Sequence, residues 1–317
     1  MIDPTPSQTT EIVEAAAVPQ PQPDYDVTRE VGYYQLVWRR LRRHRMAMIS
    51  AGVLVFLTLA SFIVPNILSS LAPTVFSDTP DLLHRFGSPA WPHIMGTDEL
   101  GRDIFRRILQ GGQISLMVGL FGMMVTVLLG GTIGAVAGYF GSIVDNILMR
   151  ITDAMLTIPQ IFLLILIATA FGGSVSPTVM VLAIGLTLWP YPARIIRSVV
   201  LSIKEKEFVE AARAVGSGNS KIILRHVIPN ALGPILVAAT LYVGAAILTE
   251  SAVSYLNLGI GPPLASWGSM LFRAQEFIWE AGYYALFPGL MILITVLCIN
   301  FMGDGLRDAF DPRSFDR

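Results

Sequence analysis

The sequence predicts an all-α polytopic membrane protein with six transmembrane helices. Composition is the first reason: 53% of the 317 residues are hydrophobic and 14% charged, with mean hydropathy +0.60. Soluble domains carry about a quarter charged residues. Charge segregation is the second reason. Met46–Leu68, Ile114–Phe140, Ala154–Ala193, Val227–Thr249 and Ala281–Gly303 contain no Asp, Glu, Lys or Arg. Roughly 20 apolar residues cross a bilayer core as a helix. The long run Ala154–Ala193 therefore reads as two spans joined by a tight turn at Gly172–Pro177, which brings the total to six. A soluble protein with large buried helices is the bland alternative, and no soluble core hides uncharged runs of this length.

Orientation follows from the basic residues, which concentrate on the cytoplasmic side. Arg39, Arg40, Arg42, Arg43 and Arg45 precede the first span as "RRLRRHR". Arg194, Arg197, Lys204, Lys206, Arg213, Lys221 and Arg225 share one connector, and Arg307, Arg313 and Arg317 follow the last span. With six spans all three groups fall on one side, so both termini are expected in the cytoplasm. The other side receives Arg85, Arg102, Arg106, Arg107 and Arg273, offset by acids such as Asp98, Glu99, Asp103, Glu276 and Glu280.

Taken in order, residues 1–30 are poor in packing material ("PTPSQTT", "PQPQPD") and predict a disordered tail. Residues 31–45 predict an interfacial helix, with Tyr34, Trp38 and Leu41 at helical spacing beside the arginines. The first span occupies 46–69, too long and too far from the start for a cleaved signal peptide. Residues 70–113 form an extracytoplasmic segment, 114–305 a five-helix core containing the cytoplasmic loop 198–228, and 306–317 a cytoplasmic tail. In span two, Ser115, Gly119, Gly122, Thr126, Gly130, Gly134 and Gly138 form a ridge of small residues. Such ridges let helices approach closely in lipid. This favours tight packing within the chain over a helix that slides or lines a path.

Little in the sequence does chemistry. "GSGNSK" lacks the G-x-x-x-x-G-K-[ST] spacing of a phosphate loop. His44, His84, His93 and His226 have no ligand spacing, so no metal site is expected. No nucleophile elbow is present. Cys298 is the sole cysteine, which excludes an intrachain disulfide. No catalytic residue is expected.

The loop "EFVEAARAVGSGNSKIILRHVIPN" (Glu207–Asn230) is more informative. Phe208, Ala211, Ala212 and Val215 recur at helical offsets. Gly216 suits a left-handed stop, and Ser217 or Asn219 can cap a second helix, "SKIILRHVI", ending before Pro229. The small apolar side suits close seating of a protein partner better than insertion into lipid.

Several charges lie near the spans. Glu250, beside Ser251 and Ser254, is either a pore-facing group near a gate or an interfacial carboxylate satisfied by water. Arg150 with Asp153, and Asp304 with Arg307, read as interfacial pairs or caps. In "GRDIFRRILQG", Asp103 and Arg107 can pair at i, i+4.

These residues carry a family resemblance. Glu210, Ala211, Ala212 and Gly216 match the E-A-A-x-x-x-G signature of permease subunits of binding-protein-dependent ABC importers. The downstream I-x-L-P pattern is met only in part, with His226, Ile228 and Pro229 at its Ile, Leu and Pro positions. "HIMGTDELGRDIFRRILQGGQISL" (His93–Leu116), "SWGSM" (Ser266–Met270) and "FPGLMILITVLCINFMGDGLRDAFDPR" (Phe287–Arg313) are similar to the dipeptide and oligopeptide branch, the DppC/OppC type. The resemblance implies a type I ABC importer permease fold and a five-part importer. A second, DppB-like permease would pair with this chain. Two ATPase subunits, DppD/DppF-like or fused, would bind the cytoplasmic face, and an extracytoplasmic peptide-binding protein would deliver cargo. The chain would sit in a bacterial inner membrane, with no nucleic-acid partner. It would hold no cofactor of its own, since ATP and magnesium belong to the ATPases. Glu210, Ala211, Ala212, Gly216 and Pro229 would form the ATPase-coupling element. Glu250, Ser251 and Ser254 would lie on the translocation path or gate, and Asp98, Arg102 and Asp103 at the extracytoplasmic docking surface. The expected cargo is a di- or oligopeptide. Nickel or another small solute is the alternative within the family. An ion-driven secondary transporter is disfavoured by the lack of mid-span ionisable residues, and a membrane-embedded hydrolase by the lack of a nucleophile pair.

Overall fold

The computed structural model describes residues 33–71 and 79–311. The expected disordered tail, the side chain of Tyr34 and the last residues of the chain lie outside them. The described residues are almost entirely helical: α1 (Tyr33–Arg43), α2 (Arg45–Leu71), α3 (Ile104–Phe140), α4 (Ser142–Thr157), α5 (Gln160–Ala170), α6 (Pro177–Leu188), α7 (Pro190–Lys204), α8 (Glu207–Ala214), α9 (Asn219–Ile222), α10 (Ile228–Tyr255), α11 (Trp267–Gln275) and α12 (Gly282–Phe310).

Among the described residues four helices are long and apolar enough to cross a membrane: Arg45–Leu71, Ile104–Phe140, Asn219–Tyr255 and Gly282–Phe310. The expected count of six is reached only if each of two bent pairs is one span. Ser142–Thr157 with Gln160–Ala170 bends by 80°, and Pro177–Leu188 with Pro190–Lys204 by 49°. The turn expected in the forty-residue run is present, with Gly172 and Gly173 at positive φ and the Ser176 hydroxyl capping α6. Its two arms, α5 and α6, hold 11 and 12 residues. At 1.5 Å per residue neither crosses about 30 Å alone. Each is extended by a more polar helix, α4 or α7, across a break at Pro159 or Pro190. Proline lacks the N–H that would continue the ladder and crowds the carbonyl four residues back.

The small-residue ridge is the main internal seam. Ser115, Gly119, Gly122, Thr126, Gly130, Gly134 and Gly138 are all buried. A Cβ built on Gly130 would meet the Trp189 carbonyl oxygen at 2.5 Å, one on Gly134 would strike that of Ala193, and one on Gly138 would meet that of Arg197 at 2.8 Å. Positions 130, 134 and 138 of α3 thus face Trp189, just before α7, and 193 and 197 along it, backbone against backbone. Further along, Gly119 faces Ile247 of α10 and Gly122 faces Ile184 of α6. The ridge packs within the chain, as its spacing predicts.

Ion pairs reinforce the α4–α7 contact. Asp145 receives both Nε and Nη2 of Arg197, and Asp153 receives Arg194 Nη2 at 2.5 Å. Asp153 is therefore partnered across helices rather than by Arg150 as expected. Lys204 Nζ donates to the Gly138 carbonyl at the end of α3, 3.1 Å away. Within the segment expected to be an interfacial helix, residues 33–43 form α1, with Trp38 exposed and Val37 buried. It packs on α12, where His44 also lies 3.7 Å from Asp308.

Candidate functional site

Three places along the bundle bring the sequence candidates together. The first is α8 with the chain that follows it. Val209 is fully buried in a cluster with Tyr139, Val200, Ile203, Ile222, Val227 and Ala231, with Ala212 against its edge. Val209 is the anchor; it lies beside, not on, the Phe208, Ala211, Ala212 and Val215 stripe that helical spacing marks out. Phe208 and Val215 of that stripe are 42% and 86% exposed, and Ala211 between them is exposed too. Val209 thus seats α8 and turns a small apolar face outward. Glu210 is exposed in the first turn, where a carboxylate also complements the helix dipole.

Gly216 ends the helix at φ +84°. The Gly216 N–H donates to the Arg213 carbonyl and that of Ser217 to Ala212, a Schellman stop that requires the left-handed conformation. Two details differ from expectation. Neither Ser217 nor Asn219 caps the next helix; Gly218 occupies that position without a side-chain bond, and the Asn219 carboxamide oxygen instead accepts from Tyr139 Oη at 3.0 Å. Nor does a separate second helix end before Pro229. α9 passes through a π-helical turn, Ile223–Val227, directly into α10. Pro229 has no N–H, so a wider turn ahead of it loses no bond there. Asn230 Nδ2 occupies the His226 carbonyl at 2.6 Å.

The second place is Glu250, near the other end of α10. Its side chain is not at a watery interface: the residue is 0% exposed. Its carboxylate accepts from Ser254 Oγ at 2.7 Å, Ser115 Oγ at 3.2 Å and Ser251 Oγ at 3.5 Å. Ser115 in turn accepts the Trp267 backbone N–H, and Trp267 Nε1 donates to the Ile108 carbonyl. Ser254 Oγ accepts the Ile260 N–H at 3.2 Å. The carboxylate therefore ties α3, α10, the start of α11 and the loop before it. The sequence does not mark Ser115 and Trp267 as members: Ser115 belongs to the small-residue ridge, and nothing local in sequence links residues 115, 250 and 267. Gly268 permits the approach, since a Cβ there would lie 2.5 Å from Ser251 Cα.

The third place is the segment before α3. Asp98 is buried and accepts the backbone N–H groups of Leu100 and Arg102 and the Arg102 Nε, at 2.8–2.9 Å. Arg107 Nε lies 3.3 Å from the same carboxylate. Asp103 is equally buried. It caps α3 through the Arg106 N–H and meets His93 Nδ1 at 2.9 Å. Arg107 thus pairs with Asp98, not with Asp103 at i, i+4, because the cap turns Asp103 back onto the helix start. α3 also begins at Ile104, ten residues before the uncharged run that marked span two. Gly101, at φ +74°, lies where any Cβ would strike the Asp81 carbonyl oxygen. Asp81 caps the 3-10 turn Leu82–His84, and the His84 hydrogen bond holds its carboxyl below the usual range. Asp98 and Asp103 are internal braces, and the large apolar side chains this segment exposes are Leu82, Leu83, Trp91 and Ile94. α3 separates this end, where Ile104 and Ile108 pack with Met270 and Tyr284, from the α8 end at Tyr139.

Among the described residues no group of three or more His, Cys, Asp and Glu could hold a metal ion. Cys298 is buried and unpaired.

Comparison with known proteins gives a consistent picture. A family model described as binding-protein-dependent transport system inner membrane component matches residues 130–316. A second, the N-terminal TM domain of oligopeptide transport permease C, matches residues 32–83. The dipeptide transport system permease protein DppC of Alkalihalophilus pseudofirmus is 37% identical over 306 residues, covering 96% of this chain and 98% of that protein. A protein of Brucella suis biovar 1 named "Putative peptide permease protein" is 42% identical over 240 residues, 74% of this chain and 78% of its own length. Among solved structures, an inward-facing MetNI methionine ABC transporter chain superposes with TM-score 0.52 at 18% identity, covering 66% of this chain and 96% of that one. At that identity the likeness establishes the fold, that of an ABC importer permease.

Proposed function

The chain belongs to the binding-protein-dependent transport system inner membrane component family, and from that premise we propose that it is the permease subunit of an ATP-driven importer carrying di- and oligopeptides into the cytoplasm. The observation that carries the mechanical part of this reading is α8, held by Val209 with Phe208, Ala211 and Val215 turned outward. In this reading Glu210, Ala211, Ala212, Gly216 and Pro229 form the coupling element, and an ATPase cleft covers the outward face. Both termini and α8 lie in the cytoplasm, as the Arg and Lys distribution favours. ATP and magnesium are held by the two ATPase partners, and this chain contributes no catalytic group. A DppB-like permease completes the translocation path. The binding protein docks at the opposite end, on a segment kept in shape by Asp98, Arg102 and Asp103, with Trp91 88% exposed and Trp279 97% exposed as its apolar contacts.

Coupling then needs a contact that differs between ATPase states, since only a differential interaction shifts an inward–outward equilibrium. The Glu250–Ser251–Ser254 network sits where α10, α3 and α11 converge, and a change in their packing there opens or closes the outer end of the path. The experiment is growth of a strain lacking this chain and any redundant permease. On a di- or tripeptide as sole source of a required amino acid it should fail to grow, and the free amino acid should rescue it. Undiminished uptake of labelled peptide by that strain refutes the reading.

A further inference from the structure

Two adjoining cavities open at the end of the bundle opposite α8. One, of about 300 Å³, is lined by Glu99, Arg102, Arg107, Pro262, Ser269 and Arg273 among others. Its neighbour, of about 320 Å³, shares Arg102 and Arg107 and adds Gln110 and Gln113. Three guanidinium groups thus border one continuous depression. Arg102 and Arg107 are fixed by the rest of the fold, with side chains only 15% and 12% exposed. Asp98 lies behind them, and Glu99 is 3.6 Å from Arg102. Arg273 makes no ion pair among the described residues; its guanidinium stands 5.7 Å from the Phe272 ring. The tally of three cations against Asp98 and Glu99 leaves one positive charge. The Arg107 Nε is buried 3.3 Å from the Asp98 carboxylate, which holds this guanidinium in the cavity wall.

We propose that this depression is an anion subsite that receives the free C-terminal carboxylate of the peptide cargo, held by Arg273 and Arg107 with Arg102 supporting them. The proposal rests on the import reading above and specifies which part of the cargo this chain recognises. Planar guanidinium groups match a carboxylate with two parallel hydrogen bonds, and all cargoes of varied sequence share that group. The two cavities together suit a short peptide, since small-molecule sites span about 300–1,000 Å³. Concavity favours cargo over an acidic side chain of the binding protein, because two of the three cations lie recessed. A third cavity, of about 400 Å³, shares Pro262, Ser269 and Arg273 and is walled by Gly172, Gly259 and Ser254, placing the rest of a bound peptide beside the Glu250 network.

The test uses the complete importer with its binding protein in proteoliposomes and compares uptake of labelled trialanine with trialanine amide. Arg273 is exposed, so Arg273→Gln should fold and assemble normally. It should raise the trialanine concentration for half-maximal uptake about tenfold, with cargo-free ATP hydrolysis and binding-protein association unchanged. Arg273→Lys should recover most of the loss. The amide, at the lower efficiency wild type gives it, should be carried equally by wild type and Arg273→Gln. Uptake of trialanine by Arg273→Gln equal to wild type overturns the subsite while leaving the import reading intact. An equal loss for acid and amide also overturns it, as does weakened binding-protein association, which would assign the arginines to docking. A wild-type complex that moves neither peptide overturns the import reading and this proposal together.

Discussion

The α3–α7 seam makes a demand that a single methyl group can test. A Cβ on Gly130 would sit 2.5 Å from the Trp189 carbonyl oxygen and 3.0 Å from the Ala193 nitrogen, whereas ordinary contact begins at 3.4 Å. Gly130→Ala therefore requires the helices to separate by about 0.9 Å at that level, and the obstruction is backbone, which has no rotamer to change. Overpacking of this kind costs about 1–3 kcal/mol. A gap of that width along the neighbouring turns, where Gly134 and Gly138 face Ala193 and Arg197, forfeits roughly a quarter to a half of each dispersion contact. The upper part of the range applies, so the expected loss is about 2–3 kcal/mol. At about 2 °C per kcal/mol for a chain of this size, thermal loss of the assembled complex in detergent, followed by size-exclusion of this tagged chain after heating, should shift down by about 5 °C. Gly131→Ala is the internal control. Its Cβ would meet only Ile196 Cδ1, at 3.5 Å, and its midpoint should match wild type. If Gly130→Ala melts with wild type, or if Gly131→Ala falls as far, the helices are not held backbone to backbone at this seam.

Three further outcomes follow from the sites. Ala211→Trp, on the outward face of α8, should leave the fold intact yet reduce ATPase co-purification and ligand-stimulated ATP hydrolysis at least tenfold, or about 1.4 kcal/mol; Ala212→Trp should also destabilise the chain, because Ala212 borders the Val209 cluster, and wild-type hydrolysis in both would remove α8 from the coupling role. Glu250→Ala orphans the Ser115 and Ser254 hydroxyls and should cost about 2–4 kcal/mol, whereas Glu250→Gln keeps an acceptor and should cost less than half as much; equal melting midpoints for the two would show that the hydrogen bonds do not hold this junction. Asp98→Asn removes the negative charge facing Arg102 and Arg107 and should cost about 3 kcal/mol, read as a drop in the melting midpoint, and an unchanged midpoint would mean that those guanidinium groups are solvated well enough to need no counter-charge.

How far the sequence reached depended on whether the deciding contacts were local. The small-residue ridge, the left-handed Gly216 and the Gly172–Pro177 turn are properties of one helix or one turn, and their spacing was sufficient. The span count was less legible because Pro159 and Pro190 sit inside uncharged stretches: hydropathy registers their surroundings, while the bends arise from a missing N–H. The caps at Ser217 and Asn219 failed for a related reason, since Asn219 has a better partner in Tyr139, eighty residues away. The role of Glu250 was the least legible. Depth along a helix can be counted, but burial depends on what packs over that helix, and the covering residues come from positions 115 and 267.

The π-helical turn at Ile223–Val227 has a mechanical consequence. Because it joins α9 to α10 without a loop, Asn219–Tyr255 is one continuous helical segment, and Ile222 and Glu250 stand about 42 Å apart along it at 1.5 Å per residue. A loop at Pro229 would have absorbed displacement as slack. A continuous helix transmits it: tilting about the α3 contact near Gly119, which lies against Ile247, gives a long arm toward α9 and a short arm toward Glu250. Such unequal arms trade travel for force, so an ångström-scale excursion at α9 arrives at the serine-caged carboxylate as a much smaller, stiffer one. A junction made of hydrogen bonds, which fail over fractions of an ångström, suits that output.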